Sequence, residues 1–294
     1  MYAVFGSNGY LGRHFVSLCN ERGVAVSGFD VQPDSLLSVS SYRECDVRSS
    51  DFWKQFKPEL FSSIYFFSGL SGVEASFQNP ERFFEINVGG LVNLLKRLVD
   101  CPGRARPKVV FPSSRLVYEG GRMVTEKSPV APRSIYAATK LSCESLLQAY
   151  HARHSIDYVS LRICVPFGNL ISKDYSYGTL GFFKKKLNSN QPITLYGTGN
   201  YLRTFTHIPD LCEVLMLSSG SIASGIYNVG GCDYTLREVA EMLVAEYGGG
   251  IEYVEWPKEA ECVEMGDISL DAGKLANGIG FKVYKDIKDC IAET

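Results

Sequence analysis

At 294 residues the chain is long enough for one large domain, or a domain with a smaller lobe, around a substantial core. A formal net charge of −2 gives no basic field for nucleic acid, and the dense basic run Lys184-Lys185-Lys186 follows an apolar stretch and reads as a solvated helix face. Nine cysteines without a Cys-x-x-Cys or a His/Cys cluster point away from a metal site and a disulfide framework and toward reduced thiols, while the absence of a charged leader and of a membrane-length apolar run predicts a cytoplasmic protein with no membrane partner.

The first predicted element is an apolar strand, Tyr2-Ala-Val-Phe5, followed at once by Gly6-Ser-Asn-Gly9-Tyr10-Leu11-Gly12 and a helical pattern through Arg22. Strand, glycine turn and helix in that order are the context a dinucleotide site requires. Glycines let the backbone turn sharply and approach a pyrophosphate, whose charge the free amides at a helix start welcome. The next strand, Val24 to Phe29, ends in Asp30, whose carboxylate can accept hydrogen bonds from an adenosine ribose and repel a 2′-phosphate, which argues for NAD over NADP. The competing role for Asp30 is a turn cap.

Strand and helix continue to alternate, as parallel pairing demands. Ile64 to Phe67 reads as a buried strand and Phe83 to Val99 as an amphipathic helix. Asp46 and Val47, and Phe67, Ser68 and Gly69, fall at strand ends, where ligands of doubly wound sheets collect, so they are candidate adenine and ribose neighbours. Asn87 is a poor helix former inside a helical run, which hints at a role.

Lys108 to Phe111 is a further strand and runs into Pro112-Ser113-Ser114-Arg115-Leu116, which places two hydroxyls at its C-terminal end. Then comes Ser134-Ile-Tyr136-Ala-Ala-Thr-Lys140. On a helix Tyr136 and Lys140 lie one turn apart on one face. A neighbouring ammonium favours the phenolate, so Tyr136 can exchange protons well below its ordinary value of about 10. Alone, such a pair is common packing of a phenol on a lysine stem; the glycine turn, Asp30 and Ser114 are what make it a candidate general acid/base. Beyond Pro166 the alternation loosens, and the segments Asn169 to Tyr177 and Glu252 to Asp267 read as a smaller lobe. Leu236 to Tyr247 is an amphipathic helix closed by Gly248-Gly-Gly250, and Asp271 to Lys274 opens another turn or helix. His207 reads as a packed structural histidine.

With these motifs in order, the chain resembles the extended short-chain dehydrogenase/reductases, in particular the NAD-dependent sugar-nucleotide epimerase/dehydratase branch. The resemblance also rests on Glu85-Ile-Asn-Val-Gly89, Leu161-Arg162 with Pro166-Phe-Gly168, Leu195-Tyr-Gly-Thr-Gly199, Arg203-Thr-Phe-Thr-His207 and Asn228-Val-Gly-Gly231. It implies an α/β, doubly wound parallel sheet (Rossmann fold) with a smaller C-terminal substrate lobe. Residues 1–165 would bind NAD, with parts of 200–232 returning to that domain, and 166–294 would mainly bind substrate. It further implies Tyr136 as base, Lys140 on the nicotinamide ribose, Ser114 on the sugar hydroxyl, Arg115 beside the sugar and Arg203 on the diphosphate of a nucleoside-diphosphate sugar. Pairing into a homodimer through the Tyr136 helix and the one before it is implied as well, with Phe83-Phe84 and Leu94-Leu95 as apolar surface.

Departures from the family pattern narrow the reaction. The 4,6-dehydratases carry an acid pair directly after the Ser/Thr, where this chain has Arg115 and Leu116. Leucine cannot move a proton, which leaves 4-epimerisation of an NDP-hexose as the leading reaction and reduction of an NDP-4-keto-6-deoxyhexose by NAD(P)H as its rival. Val165 stands where many epimerases have asparagine and keeps that rival close. No arginine follows Arg237, although the family often supplies a second diphosphate arginine from around Glu261 to Glu264. A binding protein that kept the fold without turnover is the third reading; it would have no use for Ser114, Tyr136 and Lys140 together.

Overall fold

The computed structural model describes residues 1–102, 106–171, 177–220, 222–281 and 283–293. The chain forms two compact units, the first made of 1–117, 132–162 and 212–227 and the second of 118–131, 163–211 and 228–294.

In the first unit, short apolar runs form buried strands: β1 (Tyr2–Phe5), β2 (Val26–Asp30), β3 (Ser41–Glu44), β4 (Ser63–Phe66) and β5 (Lys108–Ser114). With Tyr158–Ile163 and Gly225–Asn228 they make a seven-stranded sheet in the order Gly225–Asn228, Tyr158–Ile163, β5, β4, β1, β2, β3. The pairs from β3 through β5 are parallel, with Val4 opposite both Gly28 and Tyr65. From β1 the chain winds one way to β2 and β3, then crosses back to β4 and β5. That reversal opens a crevice at the C-terminal ends of β1 and β4, where doubly wound sheets take their ligands. This is a Rossmann-type sheet, as its sequence pattern predicts.

Against one face of the sheet pack Phe5, Phe29, Phe52, Trp53 and Phe56; Phe5 stacks on Phe29 at 4.6 Å and on Trp53 at 5.3 Å between ring centroids. The expected helix from Phe83 to Val99 is not uniform. Pro80–Phe83 is α-helical, Phe84–Gly89 winds as a π-helix, and Gly90–Val99 returns to α. The wider turn is centred on Asn87, whose side chain bonds outside the helix. Leu94 and Leu95 are fully buried in this unit's own core, and so is Phe83, leaving Phe84 as the exposed one of the four. The apolar surface assigned to dimerisation is therefore largely core, because the helix packs those residues against its own sheet.

In the second unit, Cys232–Thr235, Leu202–His207, Ile268–Leu270 and Gly121–Val124 form a sheet in that order, with Val165–Phe167 parallel to Leu202–His207. Ile193–Tyr196 pairs in parallel with Ile251–Val254. The helix Leu236–Tyr247 begins in a capping box between Thr235 and Glu238, and it ends at Gly248 with φ 75°, where its sequence predicts the stop. Gly273–Ile279 is the short helix expected after Asp271. Of the segment Asn169 to Tyr177, residues 172–176 lie outside the described residues. His207 is buried, with Nε2 2.9 Å from a Glu293 carboxylate oxygen, and burial is the main reason its pKa falls below the ordinary histidine value.

Candidate active site

The glycine turn sits at the C-terminal end of β1 and leads into α1 (Tyr10–Glu21). Gly6 adopts φ +76°, and a Cβ there would lie 2.7 Å from the Ser68 amide nitrogen, so only glycine permits this turn against the end of β4. Gly12 faces back onto the turn, where a Cβ would come within 2.0 Å of the Gly6 carbonyl oxygen. Gly9 is the N-cap of α1 and makes no side-chain cap bond, and Tyr10, Leu11 and Gly12 form the first turn behind it. Tyr10 turns its ring inward against His14, so its contribution to a ligand is its backbone.

Asp30 ends β2 and does what a turn-capping aspartate does: its Oδ2 accepts from the Asn8 amide at 3.0 Å and its Oδ1 from the Gln32 amide. Asn8, passed over in the sequence, organises the neighbouring loop through bonds to the Leu36 amide, the Asp34 carbonyl and Tyr42. Asp46 is held by Arg48 in a two-pronged pair, and that guanidinium draws its carboxyl below the usual range. Val47 is buried; its carbonyl accepts from Trp53 Nε1 and Asn93. Phe67 continues the β4 ladder to the Phe5 carbonyl, which puts Ser68 and Gly69 beside the glycine turn. Asn87 fastens the following residue, accepting from the Leu70 amide at 2.7 Å and donating to the Leu70 carbonyl, while its amide also donates to Thr139 on the Tyr136 helix. The π-turn aims that amide, which makes Asn87 a brace between loop and helix.

The helix Ile135–His154 starts at Ser134, whose hydroxyl accepts from the Ala137 amide. Tyr136 is half-buried, and Lys140 Nζ lies 5.8 Å from its ring centroid and 4.6 Å from that of Phe111. The ammonium donates to the Pro112 carbonyl at 2.7 Å, two residues before Ser114. Burial brings the Lys140 pKa down to about 8. Ser114 ends β5 with its hydroxyl accepting from the Leu116 amide at 3.2 Å. Ser113 turns the other way and donates to Glu144 Oε1 at 2.5 Å. Glu144, one turn beyond Lys140, also takes a two-pronged bond from Arg162 at 2.6 and 2.9 Å, and both partners are buried. This pair clamps the Tyr136 helix to the sheet. The spacing of Tyr136, Lys140 and Glu144 at successive helical turns was the signal that could have found it.

Arg115 follows Ser114 in a short helical turn, Arg115–Val117, together with Leu116. Arg203 belongs to the second unit. It is buried there against Glu264 at 2.7 Å, while its guanidinium also donates to the Leu202 and Gly266 carbonyls. The segment in which the resemblance expects a second arginine thus supplies this arginine's carboxylate partner instead.

These residues fit a dinucleotide: a cradle at Gly6 and Gly12 that any Cβ would fill, a glycine N-cap on α1 that makes no side-chain cap bond, and a Ser7 hydroxyl that is buried without a hydrogen-bond partner among the described residues. Among the same residues no group of acids, histidines and cysteines is placed to hold a metal ion, and no helix is long and apolar enough to cross a membrane. Fold and site together define a dinucleotide-binding α/β protein with a Tyr/Lys pair beside the nucleotide crevice. The model of the NAD dependent epimerase/dehydratase family matches residues 2–230, and the chain belongs to that family. It is 26% identical over 297 aligned residues to a UDP-glucuronate 4-epimerase of Thermodesulfobacterium geofontis, covering 94% of this chain and 90% of that one. Among solved structures, it is similar to a UDP-glucose 4-epimerase of Thermus thermophilus in complex with NAD, with 26% identity, a TM-score of 0.84 and coverage of 100% of this chain and 97% of that one. It is also similar to a dTDP-glucose 4,6-dehydratase of Streptomyces venezuelae with NAD bound, with 26% identity, a TM-score of 0.86 and coverage of 100% and 95%.

Proposed function

We propose that this chain is an NAD-dependent epimerase that inverts carbon 4 of a nucleoside-diphosphate hexose. Tyr136, on the face of its helix shared with Lys140, takes the proton of the C4 hydroxyl as carbon 4 is oxidised to a ketone, and gives it back when carbon 4 is reduced from the other face. Bound NAD supplies a hydride acceptor that returns the hydride it took. Lys140, a buried cation on the Tyr136 face, lowers the cost of the phenolate and is assigned to the nicotinamide ribose. The Ser114 hydroxyl holds the sugar oxygen on which the proton moves, with Arg115 beside the sugar. Gly6, Gly9 and the amides of Tyr10, Leu11 and Gly12 hold the pyrophosphate, and Asp30 takes the adenosine ribose. Asp46, Val47, Phe67, Ser68 and Gly69 line the adenine and ribose, and Asn87 keeps that loop in place. Arg203, with the second unit as substrate lobe, is assigned to the substrate diphosphate.

The observation that carries epimerisation over dehydration is the turn Arg115–Val117. Elimination of water across the ring needs a further acid and base beside the hydroxyl residue, and the side chains offered there are a guanidinium and Leu116. Val165 favours the rival reduction of a 4-keto sugar, because its buried side chain can form no hydrogen bond to a sugar or phosphate. The test is a proton NMR assay of UDP- and dTDP-hexoses with wild-type protein and Tyr136→Phe. Epimer formation by wild type, lost in the variant while NAD remains bound, is expected; equal turnover by the variant would remove Tyr136 from the mechanism.

A further inference from the structure

The Arg203 guanidinium is almost fully enclosed, with 3% of its side chain accessible. One nitrogen donates to two main-chain carbonyls, Leu202 at 2.8 Å and Gly266 at 2.6 Å, and the other to Glu264 at 2.7 Å. The Leu202 carbonyl, on the strand that carries Arg203, keeps the guanidinium aimed whatever its anion does. The anion itself sits just past a surface helix, where the same Glu264 oxygen also accepts from the Met265 amide at 2.9 Å. Glu264 caps the short helix Lys258–Val263, none of whose residues is buried, and Gly266, two residues on, adopts φ +70°, a conformation open to glycine at little cost. Glu264 is 20% accessible against 3% for Arg203, so the pair meets solvent through its carboxylate.

Charge balance makes the same point. Arg203 and Arg122 stand near Glu264 and Asp267, and Asp267 is committed to Arg122 at 2.7 Å and to the Leu202 amide at 2.8 Å. Two cations and two carboxylates leave no net positive charge for a diphosphate. An anion with two charges can pair with Arg203 only if Glu264 leaves it, since a carboxylate remaining within contact of a phosphate repels it.

We propose that Glu264 occupies the seat on Arg203 that the substrate's phosphate takes, and that its displacement sets the affinity of this protein for its nucleotide. The inference rests on the sugar-nucleotide reading above, and it makes Glu264 an affinity-determining residue that touches no reacting atom. Glu264→Gln keeps the size and an acceptor oxygen but removes the competing charge.

Titration calorimetry at low ionic strength tests it, with UDP, dTDP and uridine as probes against wild type, Glu264→Gln, and Glu264→Gln combined with Arg203→Lys. In Glu264→Gln the preferred diphosphate should bind about tenfold tighter, on the order of one charge-assisted contact. Uridine, which has no phosphate, should bind unchanged, and the gain should shrink as salt rises. It should also fall away in the double variant, because a lysine cannot reproduce the two-pronged fork. Equal or weaker diphosphate binding by a folded Glu264→Gln would overturn the proposal while leaving the sugar-nucleotide reading standing. Failure of both diphosphates to bind wild type and variant alike would overturn that reading, and this inference with it.

Discussion

Replacing Glu144 with alanine should unfold the first unit more readily than any other single truncation on the Tyr136 helix. The carboxylate accepts from Ser113 and, through both oxygens, from Arg162, whose side chain is only 4% accessible. Taking it away strands a buried guanidinium, and breaking a buried pair by removing one partner costs about 3–5 kcal/mol. Glu144→Gln retains shape and one acceptor and should cost less, about 1–3 kcal/mol. Replacing both partners with methionine removes the charges together and should regain most of the loss, so a double-mutant cycle should give a coupling of about 2 kcal/mol or more. The chain has two tryptophans, Trp53 in the first unit and Trp256 in the second. Urea unfolding followed by Trp53 fluorescence in a Trp256→Phe background therefore reads the first unit alone. A loss below about 1 kcal/mol in Glu144→Ala, or a double variant as unstable as the two single losses added, would refute the argument that this pair clamps the helix.

Two other perturbations have calculable directions. Gly12→Ala places a Cβ 2.0 Å from the Gly6 carbonyl, so α1 must shift away from β1, and NAD binding, measured by fluorescence titration, should fall by at least about tenfold. Lys140 is lowered by burial from 10.5 to about 8, so between those values the unfolded chain binds a proton that the folded chain does not. Folding stability in cofactor-free protein should then rise with pH from about 8 to 10.5, by on the order of 3 kcal/mol at most. Thermal melts across that window should show wild type gaining on Lys140→Met; parallel curves would mean that the ammonium is not penalised by its site.

What the sequence made legible is what local spacing encodes. The strand, glycine turn and helix at Tyr2 to Glu21 depend on consecutive residues, and so does the Tyr136 and Lys140 face, so both could be read before any contact was known. The stop at Gly248 was equally local. Contacts across long stretches of chain were not. Arg203 read as a diphosphate arginine with no carboxylate beside it, because its partner, Glu264, lies 61 residues on. Leu94 and Leu95 read as spare apolar surface because nothing in a helix pattern says which apolar face the parent sheet will cover. Asn87 stood out as a poor helix former, but that it braces Leu70 and Thr139 from a π-turn is a tertiary fact. Glu144 lay within reach of the same spacing argument as Lys140; its importance comes from Arg162 and Ser113, which only the fold brings to it.

The central claim is that carbon 4 of a sugar nucleotide is oxidised and reduced within one turnover. It is tested most directly with a nucleoside-diphosphate hexose deuterated at C4, incubated with the purified protein without added reductant, and mass analysis of the product. The account predicts the C4 epimer with its deuterium retained. A product that has lost the label, or conversion of a 4-keto sugar that consumes one NADH or NADPH per molecule, would contradict it and establish the reductase instead.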